Sequence, residues 1–371
     1  MRNFRSRPRA RPPRRSEGSD FTGGGRGALH IGSGREAAAH SLLLRSLNSL
    51  LMAPARAPTA AHPAEKLRVP GPGGSRLLLV DGHAYAYRAF HAIRSLSSPT
   101  GQPTNAIFGF LRMLGKMRAA VAPTHLAVIW DGGLAEERVA QHPEYKAGRP
   151  PMPSDLEAQL SGIADYLDAA RIPSLCRKGV EADDWIATVA RQAEAVDCRV
   201  VIASSDKDFM QLVTPRVGLL NPNDKSETIW THEEVRAKAG VAPGLIVDWL
   251  SLVGDSVDNI PGVPGVGPKT AAELLQRFGS ITNLYARLEE VASERIKMKL
   301  RESHAVVQKN QELIRLREDI AGDFNLAAYQ VACPDVSRLI ALFTGWGFRT
   351  MRQEMEAELV GQGELFGSQI A

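Results

Sequence analysis

Three short apolar runs in this chain each lead to an aspartate. Leu77-Leu78-Leu79-Val80 runs into Asp81, Leu126-Ala127-Val128-Ile129-Trp130 into Asp131, and Val200-Val201-Ile202-Ala203 reaches Asp206 after two serines. In open α/β sheets ligands bind beyond the carboxyl ends of the strands, so three strand-end acids can converge. Singly, each reads better as a turn or helix-capping residue, and it is their number that favours a site. They are accompanied, however, by Glu181-Ala182-Asp183-Asp184, Asp206-Lys207-Asp208 and Asp255-Ser256-Val257-Asp258. Asp206 and Asp208 share a face if extended, and Asp255 and Asp258 share one if helical. So many carboxylates cannot ionise side by side without cations, because like charges raise one another's pKa. Oxygen donors with no supporting His or Cys cluster favour magnesium or manganese over zinc. Two such ions roughly 4 Å apart can activate water and stabilise the leaving oxygen of a phosphodiester. Phosphoryl hydrolysis is the chemistry that suits this set, with Asp184 and Asp258 the two acids that a solvated surface would explain as well.

A second constellation is Gly262-Val263-Pro264-Gly265-Val266-Gly267-Pro268-Lys269-Thr270, which opens a helix at Ala271-Ala272-Glu273-Leu274-Leu275. It is not a Walker loop: Pro268 stands where that motif needs Lys directly after the second glycine, and no apolar strand precedes it. Amides at the helix start, from Gly265 and Gly267 to Thr270, can still hold a phosphate, with Lys269 adding a point charge. This is the pattern of a helix-hairpin-helix element, which grips a duplex backbone without reading sequence. An ordinary tight turn is the plain alternative.

The elements that must position these groups follow from periodicity. The apolar runs read as buried strands of a mostly parallel central sheet, and segments 106–119, 155–170 (with Ser154 as cap) and 183–195 read as flanking helices. The expected class is therefore α/β. From about Thr231 the strand signal fades into helices. The chain divides into an Arg-, Pro- and Gly-rich extension (1–75), an α/β region (76–235), a helical region (236–348) and a C-terminal tail (349–371).

Residues 1–75 hold thirteen basic and four acidic residues, a net +9, so the remainder is net −5 against the whole chain's +4. Their composition reads as disordered. A start assigned upstream of Met52, an organelle transit segment over residues 1–51, and a basic nucleic-acid arm are the competing explanations. An acidic body argues that any nucleic-acid binding rests on local basic patches. Cys176, Cys198 and Cys333 form no C-x-x-C pair and no disulfide framework. No stretch approaches the ~18 consecutive apolar residues of a membrane span.

Taken together, VDGHAYAYRAFHA, Asp131, YKAGRPPMP, GVEADDWIA, SSDKDFMQL and GDSVDNIPGVPGVGPKTA, in that order, resemble the 5′ nuclease family, which includes flap endonucleases and the 5′-to-3′ exonuclease domain of bacterial DNA polymerase I. The resemblance spans residues 77–348 and implies a PIN-like 5′ nuclease fold. By it, Asp81, Asp131, Glu181 and Asp183 hold a first metal and Asp206, Asp208 and Asp255 a second, with Asp184 and Asp258 acting through water. Arg88, Arg138, Lys146 and Arg149 match positions that hold the scissile phosphate and the threaded 5′ strand, Lys207 is a further DNA-binding candidate among the acids, and Tyr145 offers a stacking face. A potassium ion is implied in the hairpin, on carbonyls of Leu252, Val253, Pro261, Val263 and Val266. Glu137 departs from the family's usual Phe before Arg138, where the arch over the site begins. The chain is expected to work without a polymerase region, cutting DNA but not synthesising it, as a monomer in a bacterial cytoplasm.

Two other readings compete. A PIN-type ribonuclease also places acids at strand ends, but lacks the duplex-gripping hairpin. A catalytically dead junction-binding module would have lost a metal ligand, and none is missing. Finally, Gln362-Gly363-Glu364-Leu365-Phe366 looks like the Q-x-x-L-F peptides that dock on bacterial sliding clamps, since two apolar anchors in a tail gain nothing unless a partner buries them.

Overall fold

Alternation along the first strand decides the layering. In β1 (Arg76–Asp81), Leu77 and Leu79 enter one apolar core while Leu78 and Val80 enter another, as the two-residue period of a strand requires. The computed structural model describes residues 74–221 and 228–367, and side chains beyond Leu359 lie outside that description. The predicted N-terminal extension falls almost wholly outside it.

Six strands form one sheet in the order β3-β2-β1-β4-β5-β6. The others are β2 (His125–Trp130), β3 (Ser174–Cys176), β4 (Arg199–Ala203), β5 (Val217–Leu220) and β6 (Ile229–Trp230). All neighbours are parallel except β6, which runs antiparallel to β5. The expected mostly parallel sheet flanked by helices is the one observed. The strands that sequence reading did not anticipate are short, and β3 is largely exposed. From β1 the chain builds outward through β2 and β3, then returns to lay β4 on the other side of β1. The boundary between β1 and β4 is thus the switch point where an open sheet leaves a crevice.

The helices α1 (Gly82–Ala92), α2 (Asn105–Val121), α3 (Glu136–Gln141), α4 (Ser154–Ala169) and α5 (Ala182–Ala195) connect the first four strands. Asp81 caps α1, accepting from the Ala84 amide at 3.0 Å, so the capping reading of a strand-end aspartate holds here alongside the cleft position described below. Ser154 is not the cap of α4: it is the first helical residue, and Pro153 precedes it without a side-chain bond.

Beyond β6 the described chain is helical, with α6 (His232–Ala239), α7 (Ile246–Val253), α8 (Pro268–Phe278), α9 (Ile281–Ala286), α10 (Glu294–Glu302) and α11 (His304–Ile314). The turn between α7 and α8 is tight because the Gly254 and Gly262 backbones touch, and a Cβ on Gly262 would collide with the Val253 carbonyl. Trp249 Nε1 donates to the Pro268 carbonyl at 3.0 Å and closes the helix-hairpin-helix. α12 (Val336–Trp346) and α13 (Arg349–Gly367) then return to the α/β layer, where Leu339, Phe343, Met351 and Met355 complete the core under Leu78 and Val80. Residues 349–367, read from sequence as a tail, are helical. Met351 and Met355, four apart on one helical face, supply the buried contacts that extend the helix.

Candidate active site

The strand ends open onto a cleft of about 690 Å³ lined by Asp81, Asp131, Asp183, Asp206, Asp255 and Asp258, with Lys146, Arg149 and Lys207 among them. Topology brings these acids together. Asp81 ends β1, Asp131 follows β2, Asp183 lies in the first turn of α5, Asp206 follows β4, and Asp255 and Asp258 come from the turn after α7. That turn is not helical: Asp255 and Ile260 exchange backbone bonds at 2.8 and 2.7 Å. Nor are Asp206 and Asp208 extended, since a 3₁₀ turn begins at Asp208 and its amide donates to Asp206 Oδ1 at 2.9 Å.

The electrostatics are those of crowded, buried acids. Burial pushes the Asp81 carboxyl up to about 6, although the Ala84 amide and the Ser204 hydroxyl pull it down. Burial likewise raises Asp183, Asp206 and Asp208, and neighbouring carboxylates reinforce it. Asp131 moves the other way: burial raises it, but His83 and the Ala182 amide outweigh burial. Asp208 Oδ1 is buried with no hydrogen-bond partner. A buried carboxylate oxygen without a protein donor is costly, and a proton, a water or a cation relieves it.

Divalent ions fit this donor set in charge and chemistry. Among the described residues, however, no three acidic, His or Cys side chains stand ready to hold one ion as they are. Basic side chains explain this. Lys146 Nζ sits 2.5 Å from Glu181 Oε2 and 3.8 Å from Asp183, Arg149 sits 2.5 Å from Asp258 Oδ1, and Lys207 sits 3.1 Å from Asp255 Oδ2. Rotation of these cations away, and of the carboxylates inward, is needed to bring three oxygens onto one ion.

Several expected site residues lie elsewhere. Glu181 is buried behind the cleft, taking bonds from Lys146, from the Tyr145 hydroxyl at 3.2 Å and from the Ala135 amide at 3.1 Å. Tyr145 is therefore packed inside and presents no stacking face. Asp184 is neither solvated nor in the cleft. Both of its oxygens bind Arg138, at 2.7 and 2.9 Å, and the Arg317 amide adds a third bond. This bidentate pair is buried, so Arg138 faces an acid rather than DNA. Its position is set by α3 and α5 packing against the segment after α11, a long-range contact that local sequence does not show. Asp208 lies behind the lining and Arg88 is half-buried on α1 outside it.

In the hairpin, Gly265, Gly267 and Lys269 are exposed and Thr270 half-buried. Of the carbonyls expected around potassium, Leu252 accepts from Val263, Val263 from Val266, and Pro261 from Asn310. The Gln362, Leu365 and Phe366 side chains lie outside the described residues.

Sequence reading missed His83, Tyr87, Met152 and Val257, which also line the cleft. His83 Nδ1 accepts from the Asp131 amide at 3.1 Å. His83 and Tyr87 are four apart on α1, a spacing that places both on the face below Asp81. That spacing was the signal available.

Comparison with known proteins agrees with this geometry. Residues 76–240 match the family model "5′-3′ exonuclease, N-terminal resolvase-like domain", and residues 241–337 match "5′-3′ exonuclease, C-terminal SAM fold". The 5′-3′ exonuclease of Aquifex aeolicus is 37% identical over 71% of this chain and 89% of its own length. This chain belongs to the 5′-3′ exonuclease family. Family members are nucleases that hydrolyse DNA, either as exonucleases or as flap endonucleases. DNA polymerase I of Bacillus caldotenax is 38% identical over 76% of this chain, and the chain spans about a third of that relative, 32% of its length. Among solved structures, the 5′-exonuclease of bacteriophage T5 with bound zinc ions superposes with a TM-score of 0.56 at 20% identity, covering 76% of this chain and 98% of that one. The catalytic core of Rad2 with its DNA substrate gives 0.54 at 16%, covering 76% and 90%. These likenesses establish the shared fold of the family.

Proposed function

We propose that this 5′-3′ exonuclease family member hydrolyses DNA phosphodiesters at 5′ ends, flaps and nicks, with two divalent ions, magnesium or manganese, in primer removal and repair. The observation that carries the reading is the convergence of six aspartates and three cations on one cleft at the switch point of the sheet. In support, the T5 flap endonuclease has been solved with DNA and metal ions.

Asp81, Asp131 and Asp183 would hold one ion, joined by Glu181 once Lys146 leaves it, and Asp206, Asp208 and Asp255 the other. When bound, these ions supply an activated water and charge to stabilise the leaving oxygen. The chain's own cations then have a second partner. Lys146 and Arg149, released from Glu181 and Asp258, reach the scissile phosphate as point charge and planar fork respectively. The exposed amides of Gly265 and Gly267, with Lys269, hold the duplex backbone away from the cut. Potassium on the hairpin carbonyls of Leu252, Val253, Pro261, Val263 and Val266 belongs to the same proposal.

Cleavage of matched flap, nicked, gapped and blunt duplexes with magnesium tests the reading. Flaps and nicks should be cut, and Asp81→Asn should abolish cutting while leaving flap binding nearly intact. Turnover retained in Asp81→Asn would sink the two-metal assignment. Docking on a sliding clamp through Gln362, Leu365 and Phe366 is a separate proposal: a peptide spanning residues 360–371 should bind a bacterial clamp, and Leu365→Ala with Phe366→Ala should remove binding. A bacterial cytoplasm is the proposed location, with organellar targeting by residues 1–51 as the alternative.

A further inference from the structure

Between the two acidic groups stands a residue that belongs to neither. Ser204 follows β4 directly and is fully buried. In the β1–β4 register Val80 pairs with Ala203, so Ser204 stands beside Asp81 across the switch point. Its hydroxyl donates to Asp81 Oδ2 at 2.8 Å, and its oxygen accepts from the Asp206 amide at 3.1 Å. A hydroxyl carries one proton. Because the Asp206 amide can only donate, the Ser204 proton must go to Asp81, which fixes the direction of the chain of bonds.

That chain continues on both sides. Asp206 Oδ1 accepts from the Asp208 amide, and Asp81 Oδ1 accepts from the Ala84 amide. Asp81 therefore has each oxygen held by a neutral donor from a different element, α1 on one side and the end of β4 on the other. Through Ser204 the backbone carrying Asp206 and Asp208 is tied to the carboxylate of Asp81.

We propose that Ser204 is a positioning residue that sets the spacing between the two metal-binding groups of acids, so that occupancy of one prepares the other. The inference rests on the two-metal reading above. Groups behind metal ligands that orient them commonly change metal affinity by 10- to 100-fold when removed. Ser204 is placed to do so because its loss frees the Asp81 carboxylate to rotate and removes the acceptor of the Asp206 amide. Alanine leaves the buried space almost filled, while threonine keeps the hydroxyl.

The test is calorimetric titration of the full chain with manganese, without DNA, on the wild type, Ser204→Ala and Ser204→Thr, together with the melting temperature of each metal-free protein. Ser204→Ala should bind manganese about tenfold more weakly, with the second ion most affected. Ser204→Thr should lie within a few-fold of the wild type, and kcat on a nicked duplex should fall in Ser204→Ala with little change in KM. Wild-type affinity in a folded Ser204→Ala overturns the proposal and leaves the two-metal reading standing. Equal losses in Ser204→Ala and Ser204→Thr also overturn it, because they indicate packing rather than the hydroxyl. A wild-type chain that binds no manganese overturns both readings.

Discussion

The Lys146 ammonium occupies the space between Glu181 and Asp183, 2.5 Å from the first and 3.8 Å from the second, with its side chain 4% exposed. Burial alone would push its pKa down, but Asp183, Tyr145 and Glu181 outweigh burial and hold it charged. Its backbone sits at φ 55°, a left-handed conformation uncommon for lysine. A buried cation on two acids competes with any metal for them. Lys146→Ala should therefore bind manganese more tightly in the absence of DNA, yet cut flaps about a hundredfold more slowly for want of a charge at the phosphate. Amine-reactive labelling read by mass spectrometry should find Lys146 protected in the metal-free protein and reactive once manganese is added. Unchanged metal affinity and unchanged labelling would remove the competition.

The Arg138–Asp184 pair predicts a loss of stability. Removing one partner of a buried ion pair strands the other, at a cost of about 3–5 kcal/mol. Arg138→Ala should lower the urea midpoint accordingly, and Arg138→Met with Asp184→Leu should recover much of it. If Arg138→Ala instead melts like the wild type and loses only DNA affinity, Arg138 reaches the substrate after all.

Acidity should change the metal-free protein in a definite direction. The Asp81 carboxyl is raised from an ordinary 3.8 to about 6, so between those values the folded chain binds more protons than the unfolded one. Stability from this group is present below pH 3.8 and is lost as pH rises through about 6. Asp183, Asp206 and Asp208 are raised too and act in the same sense. Asp131 and Glu181, held low, oppose this only at the acid end. The melting temperature after chelation should thus fall from pH 5 to pH 7.5, and the gain on adding magnesium should grow over the same interval. A gain independent of pH would mean that these acids are not the ones neutralised.

Lys269 stands exposed in the first turn of α8 beside the hairpin amides. If it meets a phosphate, Lys269→Ala should weaken duplex binding about equally for all sequences and lower the salt slope by about 1. A slope that does not move would leave the hairpin as a turn.

Much of the layout was legible because strands with apolar runs and acids at their ends obey local rules. Asp81, Asp131 and Asp206 could be placed at one sheet edge from residue order alone. What could not be read was which way each acid faces. Asp183 and Asp184 are adjacent in α5, yet one lines the cleft and the other is clasped by Arg138, because helical rotation separates neighbours by about 100°. The inward turn of Tyr145 was hidden for a similar reason: its partner Glu181 comes from a distant segment. Ser204 was overlooked because a serine beside an aspartate carries no distinctive spacing.

The return of α12 and α13 onto the sheet has a consequence for how the chain must acquire its structure. Phe343, Met351 and Met355 cover the same apolar layer as Leu78 and Val80, although more than 260 positions separate them in the chain. On a ribosome the outer side of that layer, at Phe108 and Tyr166, stays uncovered until Phe343 and Phe348 have been made, since contacts this remote in sequence form late. Among the described elements, the layer begun at β1 is completed only by α12 and α13, so the α/β layer and the helices after it mature as one cooperative unit.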